Sequence, residues 1–216
     1  MVLKDALLDL IARISARVFL GNDEVRHNAS WLRLTKEYTV DSFLAFHELR
    51  MYPKFLTSVI HWFLPRMRKV RAQLKEAESI ITPVLEKRRV EKASSTKTGS
   101  ATVERSDAIE WFEDLAQERN IKYRAAAMQL NLAVASIHTT TDLLTQTMYE
   151  IMQNPEIVQP LRQEIVSVVS GGGLKHATLF NLKLMDSVLK EAQRIKPAMS
   201  GKFHESSISA SQKIYI

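Results

Sequence analysis

Three side chains that could do chemistry, those of Ser136, His138 and Thr139, lie close together in an otherwise apolar stretch. The run 123–152 around them has no Gly or Pro, and its first half is apolar on nearly every side. This pattern predicts a long helix that crosses a domain interior, where polar groups must be satisfied or used. Two interpretations follow. Either the hydroxyls bond to carbonyls one turn earlier and His138 donates to a buried neighbour, or the helix opens locally so that these groups face a ligand.

A second group of candidate residues lies downstream of this central helix. Asn154 and Pro155 are placed to open a helix that carries the sequence LRQEI, and Gly171 is placed near its end. In the helix that follows, Glu191 and Arg194 are spaced i, i+3 and therefore share one face. Spacing alone predicts no more than a surface ion pair here.

Three features in this order resemble the cytochrome P-450 family, the haem-thiolate monooxygenases, and most closely the fungal members of secondary metabolism. They are the small, polar and Thr-Thr segment ASIHTT of the central helix, the NPE and LRQEI helix, and the Glu-x-x-Arg helix. The resemblance implies a mainly α fold: the helical part of the cytochrome P-450 fold, lacking most of the sheet and the haem-ligand loop. It also implies haem as cofactor, a reductase partner, and oxidation, such as hydroxylation, of a terpenoid or similar hydrophobic small molecule.

The resemblance also implies roles for individual residues. Thr139 matches the residue that delivers protons to bound dioxygen, and His138 stands at a position where relatives often carry an acid. Ala135 and Ser136 are implied to face the haem. Glu191 and Arg194 are implied to belong to a buried structural network, whose third member would lie beyond this chain.

The chain contains no cysteine. In the resembled family a Cys thiolate holds the haem iron and favours O–O cleavage. No metal ligand is therefore assigned, and the sequence predicts a truncated monooxygenase-like protein that does not bind haem and is inactive as it stands. The alternative is a non-catalytic helical interaction or membrane-surface module, which would contact a membrane through Trp62, Phe63 and Leu64.

Composition narrows the function classes further. The 216 residues are 45% hydrophobic and carry a net charge of +6 from mixed, dispersed charges, which does not indicate nucleic-acid binding. No apolar run is long enough for a membrane span. Relatives in the resembled family are anchored in the endoplasmic reticulum membrane, and we expect this chain to lack that anchor.

Periodicity predicts helices separated by short connectors. Residues 1–198 are predicted to form one partial helical domain, with a surface loop over 92–106 and a divergent, disordered tail over 199–216. A connector is expected between Pro53 and Pro65. The predicted helices cover 3–18, 31–46, 66–89, 107–119, 123–152, 155–170 and 182–194. The first is expected to bury an aliphatic stripe that includes Leu10, Ile14 and Val18, and Gly21 lies where its C-cap glycine would sit. The third is expected to be basic and amphipathic, and the fourth to start at Asp107.

Overall fold

The computed structural model describes residues 3–21, 24–98, 105–173 and 175–197. Within these ranges the chain forms helices and turns and no strand, which confirms the mainly α prediction. The predicted tail over 199–216 lies outside the described residues. The helices are α1 (Leu3–Leu20), α2 (Ala29–Arg50), α3 (Lys54–Ile60), α4 (Pro65–Thr98), α5 (Ala108–Glu118), α6 (Ala125–Gln153), α7 (Val158–Gly172), α8 (His176–Leu179) and α9 (Lys183–Ile195).

The chain divides into two compact units, Met1–Thr141 and Asp142–Ile216, and α6 begins in the first and ends in the second. One continuous hydrophobic core belongs to the first unit and draws on α1, α2, α4, α5 and α6. Burial of these aliphatic side chains is the main force that holds the helices together. Its largest fully buried apolar members are Leu20, Leu34, Ile81, Ile109, Leu130 and Ile137.

Two helices of the first unit begin at the residue types that sequence rules favour. The Asn28 side chain accepts from the backbone N–H of Trp31 at 3.1 Å, and the Asp107 side chain accepts from the N–H of Glu110 at 3.1 Å. Each bond satisfies an N–H group that has no partner within its own helix.

The Asp107 carboxylate also forms a buried ion pair with Arg88 of α4. Arg88 donates through Nη1 at 2.8 Å and through Nη2 at 2.9 Å, and Nη2 also lies 3.0 Å from the carbonyl oxygen of Leu20. The two side chains are only 5% and 3% exposed. This cluster joins the end of α1, the middle of α4 and the start of α5.

Gly21 completes the cluster. Its φ is +70°, which favours glycine, and a Cβ built there would lie 2.3 Å from Asp107 Oδ2. The sequence predicted this glycine as the stop of the first helix, which is confirmed, but gave no sign of its contact with a carboxylate 86 positions later.

Several predicted boundaries and faces need correction. The loop predicted over 92–106 starts too early, because α4 continues to Thr98. Its last turns are held by Lys92, which bonds Glu110 at 2.9 Å and Asp114 at 2.8 Å. The connector expected after Pro53 contains the helix α3, and α8 was not predicted.

The buried face of α1 also differs from the predicted aliphatic stripe. Leu10, Ile14 and Val18 are each about half exposed, at 49%, 51% and 48%. The small residues Ala12 and Ala16 are buried instead. Small side chains let neighbouring helices approach closely, so hydrophobic spacing alone misplaced this face.

Candidate functional site

The polar segment of α6 is built largely on hydrogen bonds within its own helix. Thr139 Oγ1 donates to the carbonyl oxygen of Ala135 at 2.6 Å, and Thr141 Oγ1 donates to that of Ile137 at 2.7 Å. Thr147 Oγ1 repeats the pattern with Leu143 at 2.8 Å. Such bonds satisfy hydroxyls inside an apolar helix and often bend it. The Thr139 proton thus has an acceptor one turn earlier, as the first interpretation of the sequence predicted.

Ser136 differs from these threonines. Its Oγ atom is buried and has no hydrogen-bond partner among the described residues, whereas the neighbouring Ala135 is exposed. A buried hydroxyl without a partner costs free energy, of order 1–3 kcal/mol. The two residues implied to face a cofactor therefore lie in different surroundings, and that role for them stays a prediction.

His138 connects α6 to α2. Its Nε2 atom lies 3.0 Å from the carbonyl oxygen of Lys36, 102 positions earlier in the chain. A carbonyl oxygen only accepts, so Nε2 carries the proton in this contact. The histidine therefore donates to another helix, as the first interpretation anticipated, although this neighbour is only partly buried. Nδ1 is the ring atom left for other chemistry.

The contact continues from Lys36 to α1. Lys36 Nζ binds Asp9 Oδ1 at 2.8 Å, and Arg13 Nε binds Asp9 Oδ2 at 3.0 Å. The hydrogen bond from Lys36, followed by that from Arg13, is the main cause that holds the pKa of the Asp9 carboxyl below its ordinary value. Because Asp9 is solvent-accessible, the network orients the helices more than it stabilises them.

The predicted pair on α9 forms in the second unit. Arg194 donates to Glu191 through Nε at 2.8 Å and through Nη2 at 2.6 Å. The Arg194 guanidinium holds the pKa of Glu191 below its ordinary value, and Glu191 raises that of Arg194. Their side chains are 54% and 72% exposed, so within the described residues the pair lies at the surface.

A groove of about 470 Å³ lies beside this pair. Its walls are the end of α6, the turn Pro155–Ile157 and one face of α9, and Glu191 is part of the lining. Leu184, Val188 and Ile195 make the α9 side apolar. The lining also contains three glutamates, Glu150, Glu156 and Glu191, so the groove combines an apolar wall with acidic side chains.

An exposed aromatic surface lies in the first unit, and we define it as Phe55, Val59, Trp62 and Phe63. These side chains are 80%, 58%, 61% and 73% exposed. Leu64 was predicted to belong to this surface, and that prediction is wrong, because Leu64 is only 6% exposed and faces the protein interior.

Arg71 supports the aromatic surface from α4. Its Nη1 donates to the carbonyl of His61 at 2.9 Å and its Nη2 to that of Trp62 at 3.0 Å. The guanidinium carbon also lies 4.9 Å from the Trp62 ring centroid, within cation–π range. The sequence showed only a basic helix here and gave no sign that one arginine holds the preceding turn.

Among the described helices, none combines the length and apolarity needed to cross a membrane.

Comparison with known proteins identifies the family to which this chain belongs. The cytochrome P-450 family model matches residues 2–210. The cytochrome P-450 monooxygenase calE of Penicillium decumbens is 64% identical over 199 residues, which are 92% of this chain and 38% of that protein. Cytochrome P-450 monooxygenase 1 of Gibberella fujikuroi is 50% identical over 194 residues, 90% of this chain and 44% of that protein.

A third relative, the cytochrome P-450 monooxygenase hepE of Aspergillus oryzae, is 48% identical over 195 residues, 90% of this chain and 35% of that protein. The chain thus spans less than half the length of these relatives. A match over nearly the whole chain, together with these identities, shows that the chain belongs to the cytochrome P-450 family.

Proposed function

We propose that this chain is a monooxygenase-like member of the family whose parent enzyme belongs to fungal secondary metabolism. The parent activity would be haem-dependent oxidation, such as hydroxylation, of a terpenoid or similar hydrophobic metabolite, with electrons supplied by a reductase. The names of its fungal relatives, all monooxygenases, support this assignment.

The residues of this chain do not fit the cofactor of that chemistry. A haem-thiolate centre needs a Cys sulfur on the iron, and none of the 216 residues is a cysteine. Two of the described histidines already have other contacts: His138 Nε2 faces a carbonyl, and His61 Nδ1 lies 3.0 Å from the carbonyl of Thr57. The missing thiolate is the observation that carries the proposal that this chain alone is inactive.

The test is a haem titration of the purified chain, followed by reduction and addition of carbon monoxide. We expect no absorption band of the thiolate-ligated type. The His138→Ala variant is the matched control, because it reports whether any haem taken up uses that imidazole. A thiolate-type band from the isolated chain would refute the proposal.

A second candidate function is contact with a membrane surface that contains anionic phospholipid. The aromatic surface is the observation that favours it, because isolated exposed apolar residues are common but a contiguous group marks an interaction site. Residues 49–75, which include this surface, have no Asp or Glu and seven basic residues, namely Arg50, Lys54, Arg66, Arg68, Lys69, Arg71 and Lys75.

Apolar and basic residues together fit the interface of an anionic bilayer. The aromatic side chains would enter the headgroup region while nearby Lys and Arg attract negative lipid, at about 1 kcal/mol for each basic residue near the surface. Some of that charge is already paired within the protein, since Lys69 binds Asp41 at 2.8 Å. Arg71 contributes differently, because its bonds to the turn at His61 and Trp62 fix the surface before it meets lipid.

Vesicle co-sedimentation tests this candidate, using phosphatidylcholine with and without phosphatidylserine. We expect binding that requires phosphatidylserine and falls at least about tenfold in Trp62→Ala, since full burial of a large apolar side chain contributes about 1.5–3 kcal/mol. Trp111→Ala is the matched control, because Trp111 is 54% exposed, close to the 61% of Trp62, but lies on α5. Equal losses in both variants, or no binding by the wild type, would argue against the candidate.

A further inference from the structure

The start of α9 is capped by a residue from another helix. Its N-cap residue is Leu182, which has no side-chain group that can accept a hydrogen bond. The backbone N–H groups of Leu184 and Met185 instead donate to the two carboxylate oxygens of Glu164, at 2.7 Å and 2.9 Å. Glu164 belongs to α7 and is the acidic residue of the sequence LRQEI.

This contact replaces the local cap that the sequence does not provide. The first N–H groups of a helix have no partner within it, and Ser, Thr, Asp or Asn at the N-cap usually satisfies one of them. Here one carboxylate satisfies two. Its negative charge also lies at the positive end of the α9 dipole, and hydrogen bonds to an ionised acceptor are the stronger kind.

The same contact fixes the rotation of α9 about its axis. Two consecutive N–H groups point toward the N-terminal end of the helix from positions about 100° apart around its axis, so a single carboxylate that accepts from both restricts the rotation of the helix. Glu191 lies seven residues after Leu184, which is nearly two full turns and about 10 Å along the axis. A helix held at Leu184 and Met185 therefore presents Glu191 and Arg194 in a defined direction.

We propose that Glu164 is a positioning residue that caps α9 and thereby sets the orientation of the Glu191–Arg194 face. The capping stands on the contacts of Glu164 alone. That this orientation matters for function rests on the proposed function, in which Glu191 and Arg194 have their family role. Since capping can be measured without haem, failure of this inference and failure of the proposed function are separable.

The first measurement is amide hydrogen exchange by NMR on the full chain. Loss of a cap typically costs about 1 kcal/mol, so we expect Glu164→Ala to speed exchange at Leu184 and Met185 by about five- to tenfold. Glu164→Gln keeps one acceptor oxygen and should fall between Ala and wild type. Gln163→Ala is the control, because Gln163 is the exposed neighbour on α7. Unchanged exchange in Glu164→Ala, or an equal change in Gln163→Ala, would overturn the capping.

The second measurement tests positioning. Because the chain has no cysteine, spin labels can be placed at introduced cysteines alone, and the exposed Ser170 and Gln193 serve as Ser170→Cys on α7 and Gln193→Cys on α9. We expect the label-to-label distance distribution to widen at least about twofold in Glu164→Ala and to narrow again in Glu164→Gln. An unchanged width despite faster exchange would mean that Glu164 is only a cap and would overturn the positioning role. The positioning role would also be overturned if Glu164→Ala and Glu164→Gln lost hydrogen-exchange protection equally throughout the second unit.

Discussion

Two Arg–carboxylate pairs in this protein have the same chemistry and opposite surroundings. In the first unit, Arg88 and Asp107 are 5% and 3% exposed and share their cluster with the Leu20 carbonyl. In the second unit, Arg194 and Glu191 are 72% and 54% exposed and bond only each other among the described residues. The difference shows that pair geometry does not determine what a salt bridge contributes to stability; its burial does.

The two units also differ in how many apolar side chains they bury around these ion pairs. The first unit has a continuous core of buried aliphatic side chains around the Arg88 cluster. In the described part of the second unit, the buried apolar residues are Leu161 and Ala192. The first unit therefore has a hydrophobic core of its own, whereas in the described part of the second unit polar contacts such as that of Glu164 account for more of the contacts between helices.

The largest effect is expected from Arg88→Met, which leaves the Asp107 carboxylate buried without its partner. Breaking a buried pair from one side typically costs about 3–5 kcal/mol. Urea denaturation of the two proteins measures this loss. Arg194→Met is the control from the exposed pair, because the side chains of Arg194 and Glu191 are 72% and 54% exposed and the loss should be far smaller. A loss below about 1 kcal/mol for Arg88→Met would mean that burial does not distinguish the two pairs.

The next effect is expected from Gly21→Ala. The left-handed conformation alone costs an L-residue about 1–2 kcal/mol, and the added Cβ would also displace the Asp107 carboxylate. Gly171→Ala provides the contrast in the second unit, because no atom lies within 4 Å of its added Cβ. Since alanine favours a helix over glycine, that change should be neutral or slightly stabilising. Urea midpoints that fall equally in both variants would contradict the expectation.

A smaller, pH-dependent effect is expected at Glu113. The Arg89 guanidinium, at 2.7 Å and 2.8 Å, is the main cause that holds the pKa of Glu113 below its ordinary value of 4.5. A carboxyl with a lowered pKa in the folded state contributes stability above pH 4.5, and this contribution is lost as the pH falls through the folded-state pKa. Stability should therefore fall less steeply with acid in Glu113→Gln.

Urea midpoints measured between pH 7 and about pH 3 test this. Wild type and Glu113→Gln should differ near neutral pH and converge in acid. The control is Glu118→Gln, at an exposed position of the same helix. Curves that stay parallel over the whole range would show that Glu113 has no such role.

The smallest effect is expected from Glu191→Ala. Because the side chains of this pair are 54% and 72% exposed, we expect no measurable change in the urea midpoint. The pair remains visible by NMR titration, in which Arg194→Ala should return the pKa of Glu191 upward toward its ordinary value. A large loss of stability in Glu191→Ala would place the pair in a buried network after all.

The sequence predicted features that depend on local spacing and missed those that depend on distant neighbours. The run of α6, the cap at Asp107 and the stop at Gly21 all follow from residue types within a few positions. The contact of His138 with the Lys36 carbonyl joins residues 102 positions apart, and the contact of Glu164 with Leu184 joins α7 to α9 across the intervening helix α8. No periodic pattern carries such information.

The sequence also could not predict which of two adjacent apolar residues is buried. Phe63 and Leu64 are adjacent and both apolar, yet Phe63 is 73% exposed and Leu64 is 6% exposed. Their difference is set by the turn after α3, which Arg71 holds from another helix. The predicted site residues on α6 and α9 were located correctly in their helices, but their partners became visible only in the structure.

Hydrogen exchange across the whole chain, followed by mass spectrometry, tests the difference between the two units most directly. Amides in α1, α2, α4 and the first half of α6 should exchange slowest, since they surround the buried core. Those of α7 and α9 should exchange at least about tenfold faster, which corresponds to about 1.4 kcal/mol of opening free energy. Equal protection in the two units, or greater protection in α7 and α9, would contradict the conclusion that the stability of this chain resides in its first unit.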